Sequence, residues 1–152
     1  MSIALNTEER DLQQAVRRYL DTEIAPLVAE HECRRAFPWD ALAGLYEFGY
    51  VRGAVARAHG GDEVSAMAQA VLMEEAGRCW GSLRTTVNVQ GMVAMLLGRA
   101  GTAEQRARFL DPMLAASRFG WFALTEADAG SDAGALRCAA RREGDSFVLN
   151  GR

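Results

Sequence analysis

Near Ser117 the hydrophobic pattern of the chain changes period, and that change bounds what it can fold into. Before it, apolar residues recur at three and four, the spacing of one helix face. Leu12, Val16, Tyr19, Leu20 and Ile24 form the first stripe, with Asn6 or Thr7 placed to cap it. Pro26 is expected to bend or restart the chain. Pro38 suits the first turn of a second helix, which turns Leu42, Leu45 and Phe48 inward and ends near Gly49. After a loop holding Gly53 and Gly60-Gly61, a stripe of Val64, Met67, Ala68, Val71, Leu72 and Ala76 predicts another helix. A further apolar helix is predicted from about Ser82 to Leu97. Thr102-Ala-Glu-Gln105 has the capping-box pattern and opens a last one through Phe109 and Leu110.

Beyond Ser117 the runs shorten and become strand-like: Trp121 to Leu124, Leu136 to Arg141 and Phe147 to Asn150, separated by Gly/Asp turns. Helices first and strands afterwards exclude alternating βαβ units. The expected class is α+β, with an all-α domain over residues 1–117 and the first strands of a β domain over 118–152. Asn150-Gly151 is a strong two-residue hairpin turn, and such a turn needs a return strand. Strands this few leave an open edge, so the expectation is a fragment, a truncation or one half of a partnership.

Composition narrows the partners. At 152 residues the chain can bury one sizeable core, and 49% hydrophobic with 24% charged residues is ordinary for a globular protein. The net charge is −3, and all 17 basic residues are Arg. The arginine pairs at 17–18, 34–35 and 141–142 are scattered, which argues for solvated faces and against a nucleic-acid patch. Cys33, Cys79 and Cys138 are odd in number and widely spaced, giving neither a disulfide framework nor a zinc site, and His31 and His59 lack partners at metal spacing. The polar, acidic start of the sequence leads to the expectation of no secretory signal. The longest apolar run, Met92 to Leu97, falls far short of the ~20 residues of a membrane span. A cytoplasmic location is expected.

Leu124 to Asp132 reads Leu-Thr-Glu-Ala-Asp-Ala-Gly-Ser-Asp. A β-like run ends at Thr125 and gives way to small residues, with Gly130 and Gly134 on either side of Ser131. Glycine lets a backbone approach a ligand closely. Successive N–H groups in such a turn form a concave anion site that needs no Lys. The glycine spacing misses the dinucleotide fingerprint, and the stretch taken alone is an ordinary solvated turn.

Its surroundings change that balance. An aromatic run, Phe119-Gly-Trp-Phe-Ala123, precedes it, and Gly-Asp-Ser-Phe-Val-Leu-Asn-Gly follows at 144–151. In that order the pieces resemble the middle of the flavin-dependent acyl-CoA dehydrogenase family, whose pattern is a strand, Thr-Glu-Pro-x-Ala-Gly-Ser-Asp, and a hairpin ending Leu-Asn-Gly. The likeness extends upstream through Ile24-Ala-Pro26, Phe37-Pro38, Gly60-Gly61, Glu74-Glu75 and Gly101-Thr-x-x-Gln105. Ala127 stands where the family has Pro, Asp128 where Gly is frequent, and Ala54–His59 departs from the usual Val-Pro-Glu-Glu-Tyr loop.

The resemblance implies a helical domain, a β domain and a C-terminal helical bundle, of which this chain carries the first and the start of the second. It implies FAD as cofactor, an acyl thioester (on CoA or a carrier protein) as substrate, and an electron-transfer flavoprotein or similar acceptor. It also implies a homo-oligomer or a complementing chain. Carried over, Phe122, Leu124 and Thr125 face the isoalloxazine, Gly130 and Ser131 meet the diphosphate, and Ser131 also lies near the pantetheine arm. Thr86, Val89, Gln90 and Val93 line the acyl pocket, or pack as ordinary core. The family's catalytic carboxylate lies in the C-terminal domain, so no catalytic residue is assigned here, and Glu126 is expected to order its loop. An acyl-CoA oxidase or flavin monooxygenase on the same scaffold, or a non-catalytic partner or assembly module, are the alternatives.

Overall fold

The computed structural model describes residues 4–151; Met1–Ile3 and Arg152, where the expectations about the start of the chain and a return strand fall, lie outside it. The chain divides into two compact units, Met1–Trp121 and Phe122–Arg152.

The first unit is helical. Helix α1, Thr7–Tyr19, begins at Asn6, whose side chain accepts the Glu9 N–H at 2.9 Å while Glu9 accepts the Asn6 N–H at 2.8 Å. This reciprocal pair satisfies two of the donors that a helix start leaves free. Pro26 does not restart the chain. A five-residue π turn, Leu20–Ile24, carries α1 straight into α2, Ala25–Arg34. In a regular helix the proline ring would strike the carbonyl four residues back and could give it no N–H. Widening the turn, with the Ala25 N–H bonded to the Leu20 carbonyl, relieves the clash and keeps the helix going. The same device recurs at Pro112. There α6, Ala103–Gln105, passes through a π turn, Arg106–Leu110, into α7, Asp111–Leu114, and the Asp111 N–H bonds the Arg106 carbonyl.

Between these ends lie α3, Leu42–Tyr46, reached from Pro38 through a 3-10 turn, then α4, Ala66–Cys79, and α5, Gly81–Ala100. Ser65 caps α4, accepting the Ala68 N–H at 3.1 Å. Helices α4 and α5 are separated only by Trp80, whose extended backbone folds them back on each other. Val16, Leu20, Ile24, Leu45, Leu72, Leu83, Val87 and Leu110 are the heart of the core.

Among the described residues, Glu75 is the charge buried inside it. Glu75 shares the buried face of α4 with Val71, Leu72 and Ala76 and is 0% exposed. Its carboxylate accepts from Arg17 Nε at 2.9 Å and Arg17 Nη2 at 2.5 Å, from Gln13 Nε2 at 3.0 Å and from Arg78 Nε at 2.8 Å. A buried charge is tolerable only when so held. Gln13 and Arg17 are one turn apart on α1, so the carboxylate ties α1 to α4.

Gly61 shows where the loop before α4 has no slack. A Cβ there would sit 2.0 Å from the Val55 carbonyl oxygen, which already accepts the Glu63 N–H at 3.1 Å. Backbone cannot yield as a side chain does. Gly61→Ala is expected to cost about 3 kcal/mol, at the upper end for overpacking. Gly81→Ala, with nothing within 4 Å of the new carbon, should leave stability unchanged or slightly raised. Thermal melting by circular dichroism separates the two.

In the second unit β1, Ala139–Glu143, pairs antiparallel with β2, Ser146–Asn150, in a register running from Ala139 opposite Asn150 to Glu143 opposite Ser146. The hairpin turn is Gly144-Asp145, where Gly144 takes φ +61°. Asn150 closes the ladder opposite Ala139, and the return strand that an Asn150-Gly151 turn calls for lies outside the described residues. The expected strand Trp121 to Leu124 takes part in no ladder among the described residues, and the second strand begins at Ala139 rather than Leu136. A strand is defined by ladder bonds to a neighbour, and β propensity alone supplies none.

Candidate functional site

Phe122, Leu124 and Thr125 lie on the irregular segment that opens the second unit. Phe122 and Leu124 are 39% and 40% exposed, and the Thr125 hydroxyl has no hydrogen-bond partner among the described residues. The chain then closes a tight turn. The Glu126 N–H donates to the Ala129 carbonyl at 2.9 Å, and the Ala129 N–H returns at 3.3 Å. Ala127 and Asp128 form its tip.

Glu126 orders this loop, as the sequence implied. Its two carboxylate oxygens accept the backbone N–H groups of Arg137 at 2.8 Å and Cys138 at 2.9 Å, tying the turn to the residues that lead into β1. Asp132 folds the far side, accepting the Gly134 N–H at 3.1 Å in an Asx turn. Arg137 adds an exposed ion pair to Asp128 at 3.3 Å.

Between these two carboxylate anchors stand Gly130 and Ser131, both exposed. Gly130 does not adopt a positive φ, and a Cβ placed on it would meet nothing within 4 Å. Nothing inside the chain therefore requires glycine at 130. Ser131 brings an N–H and a hydroxyl to the same spot, the donor set that an anionic oxygen needs. Phe122, Leu124, Thr125, Gly130 and Ser131 thus all lie in one short stretch of the second unit, on the open side of an internally braced loop.

The acyl-pocket candidates lie on α5 in the first unit, and the structure separates them. Thr86 and Val89 line a cleft of about 420 Å³ with Gly81, Ser82, Thr85 and Trp121. Trp121 is 70% exposed and meets Trp39 edge-on at 6.0 Å. Gln90, expected either in that lining or as packed core, is 0% exposed. Its Nε2 donates to the Gly120 carbonyl at 2.7 Å, and its Oε1 accepts the Gly120 N–H at 2.8 Å. Both ends of its amide are taken up by the Gly120 backbone, although Gln90 lies one turn from Thr86 on α5. Val93 is half-buried and packs toward Gly120, whose Cβ would lie 2.7 Å from Val93 Cγ1.

Sequence reasoning passed over Gly120 and Trp121. The available signal was a glycine between two aromatics, Phe119-Gly120-Trp121, where close packing excludes a side chain. A larger groove of about 660 Å³, lined by Met73, Met92 and Met95 among others, holds none of the predicted site residues. Among the described residues no group of three His, Cys, Asp or Glu is arranged to hold a metal, and no helix is long and apolar enough to cross a membrane.

Residues 6–117 match the N-terminal domain of acyl-CoA dehydrogenases. The chain is 28% identical over 152 residues to a short-chain-specific acyl-CoA dehydrogenase of Clostridium acetobutylicum, covering 99% of this chain and 40% of the relative. It is 33% identical over 149 residues to the probable acyl-CoA dehydrogenase fadE25 of Mycobacterium leprae, covering 97% and 38%. Among solved structures, a glutaryl-CoA dehydrogenase from Mycobacterium smegmatis in complex with FADH2 superposes with a TM-score of 0.86 at 30% identity, over 97% of this chain and 38% of that one. The chain thus spans about 40% of the length of such relatives. With its helical unit matched over residues 6–117, the chain belongs to the acyl-CoA dehydrogenase family.

Proposed function

We propose that this chain carries the flavin-facing and part of the acyl-facing surface of an enzyme that oxidises an acyl thioester between its α and β carbons with FAD. Electrons then pass to an electron-transfer flavoprotein or similar acceptor. The reading rests on family membership and on one observation: the loop from Glu126 to Asp132 is braced by its own carboxylates, yet leaves Gly130 and Ser131 open and without an internal role.

The residues present fit the cofactor. Phe122 and Leu124 offer apolar area to a planar ring system, and Thr125 offers a hydroxyl that donates or accepts at its polar edge. Gly130 and Ser131 suit the diphosphate, and Ser131 also suits the nearby arm of the thioester. Held there, FAD would supply the hydride acceptor for the β carbon. This chain's residues bind, orient and exclude water; the carboxylate that takes the α proton comes from outside residues 1–152. Thr86 and Val89, with Trp121, form the wall against which the acyl chain lies. The 152 residues alone are expected to show no turnover and to hold FAD weakly.

The test uses the protein purified from its native host, so that any further sequence or partner chain comes with it. It should carry FAD, and acyl-CoA added without oxygen should bleach the flavin. Thr125→Val should weaken FAD binding or slow bleaching by the equivalent of about 1–3 kcal/mol, one hydrogen bond to a buried polar edge. A colourless protein, or a flavin untouched by any acyl-CoA, rejects the reading. An unchanged Thr125→Val variant removes that residue from the site.

A further inference from the structure

We infer that Gln90 is a positioning residue for the flavin, acting through the peptide of Gly120 from which the proposed flavin-facing segment departs; this rests on the function proposed above. Gln90 holds Gly120 at two points, its Oε1 on the N–H at 2.8 Å and its Nε2 on the carbonyl at 2.7 Å. The N–H belongs to the peptide before Gly120 and the carbonyl to the peptide after it. Two such bonds fix both peptide planes on either side of Gly120.

Packing closes the same point from other sides. A Cβ on Gly120 would lie 2.7 Å from Val93 Cγ1 and 3.0 Å from Met113 Cε, so the backbone is wedged between α5 and α7. Phe119 lies against Trp39 at 4.7 Å between ring centres, and Trp121 meets the same ring at 6.0 Å. The residues on both sides of Gly120 are therefore anchored, and Phe122 follows directly.

Burial alone gives no reason for an amide here. Gln90 is 0% exposed on a helix whose other buried residues are Leu83, Val87, Gly91, Ala94 and Gly98. An apolar side chain of similar length would fill that space without the cost of desolvating an amide. What glutamine adds is direction. Gln90 shares α5 with Thr86 and Val89, so the helix that forms the cleft wall also holds the Gly120 peptide.

The experiment edits the chromosomal gene and purifies the protein from its host. Gln90→Met keeps length and apolarity but removes both bonds; Leu83→Ala loosens the same helix without touching Gly120 and serves as the control for lost stability. FAD release and the visible flavin band are compared at a temperature well below both melting points. Gln90→Met is expected to release FAD about tenfold faster, the equivalent of one to two lost hydrogen bonds, with an altered flavin band. Leu83→Ala should keep both at wild-type values. The inference is overturned if Gln90→Met retains FAD and its spectrum like wild type, or if Leu83→Ala loses them equally. A wild-type protein without flavin is a different result: it rejects the proposed function, and this inference with it.

Discussion

Glu75→Gln is expected to destabilise the helical unit by about 2–3 kcal/mol, the range for hydrogen bonds to a charged group. The substitution keeps the shape but removes the charge that Arg17 and Arg78 surround, and turns an N–H pair toward them. The loss should depend on pH with a definite sign. The hydrogen bond from Arg17 holds the Glu75 carboxyl below its ordinary value of 4.5; burial opposes this, and Arg78 adds to it. A carboxyl depressed in the folded state stabilises fully above its unfolded pKa, and this contribution fades as pH falls through the folded value. Wild type should therefore exceed Glu75→Gln by a constant amount at neutral pH. The gap should narrow only below about pH 4.5. Denaturant titrations of both proteins from neutral to acid pH measure it. A gap that stays constant into strong acid would mean that the carboxylate's charge is not what ties α1 to α4.

Ser131→Trp is expected to abolish FAD retention while leaving the fold intact. Ser131 is exposed, and exposed substitutions usually shift stability by within about 0.5 kcal/mol. The neighbouring anchors, Glu126 on Arg137 and Cys138 and Asp132 on Gly134, do not involve its side chain. A bulky ring at this position would fill the space assigned to the diphosphate. Ser131→Ala removes only one donor and should weaken binding mildly, by about 1 kcal/mol. Flavin content of the two purified variants, beside their melting temperatures, decides between a ligand loop and a surface turn. Full occupancy in the Trp variant would make it a surface turn.

The helical half of the fold was legible because periodicity and caps act locally. Asn6, one of two residues placed to cap α1, does so, and Thr102 with Gln105 forms the capping box that its spacing predicts. The π turns were not legible. Pro26 and Pro112 announce a disturbance, but whether the helix breaks or widens depends on the packing of Leu20, Ile24 and Leu110 on either side. Glu75 looked like half of an acidic pair, since its burial comes from α1, far away in sequence. Strands were the least legible element: Trp121 to Leu124 has the composition of a strand, but ladder pairing is a property of two segments. Of the site, the role of Glu126 followed from the motif. For Gln90 the pattern left pocket lining and core packing open, because helical spacing gives a stripe and not its edge, and the bonds to Gly120 come from thirty residues away.

The most direct measurement is amide hydrogen exchange on the flavin-loaded protein from its native host, before and after the flavin is stripped. Bound FAD should slow exchange at Phe122, Leu124, Thr125, Gly130 and Ser131, and leave the core of α4 unchanged. If adding FAD leaves exchange at Gly130 and Ser131 as fast as in the stripped protein, the loop does not hold the cofactor and the account of this site is wrong.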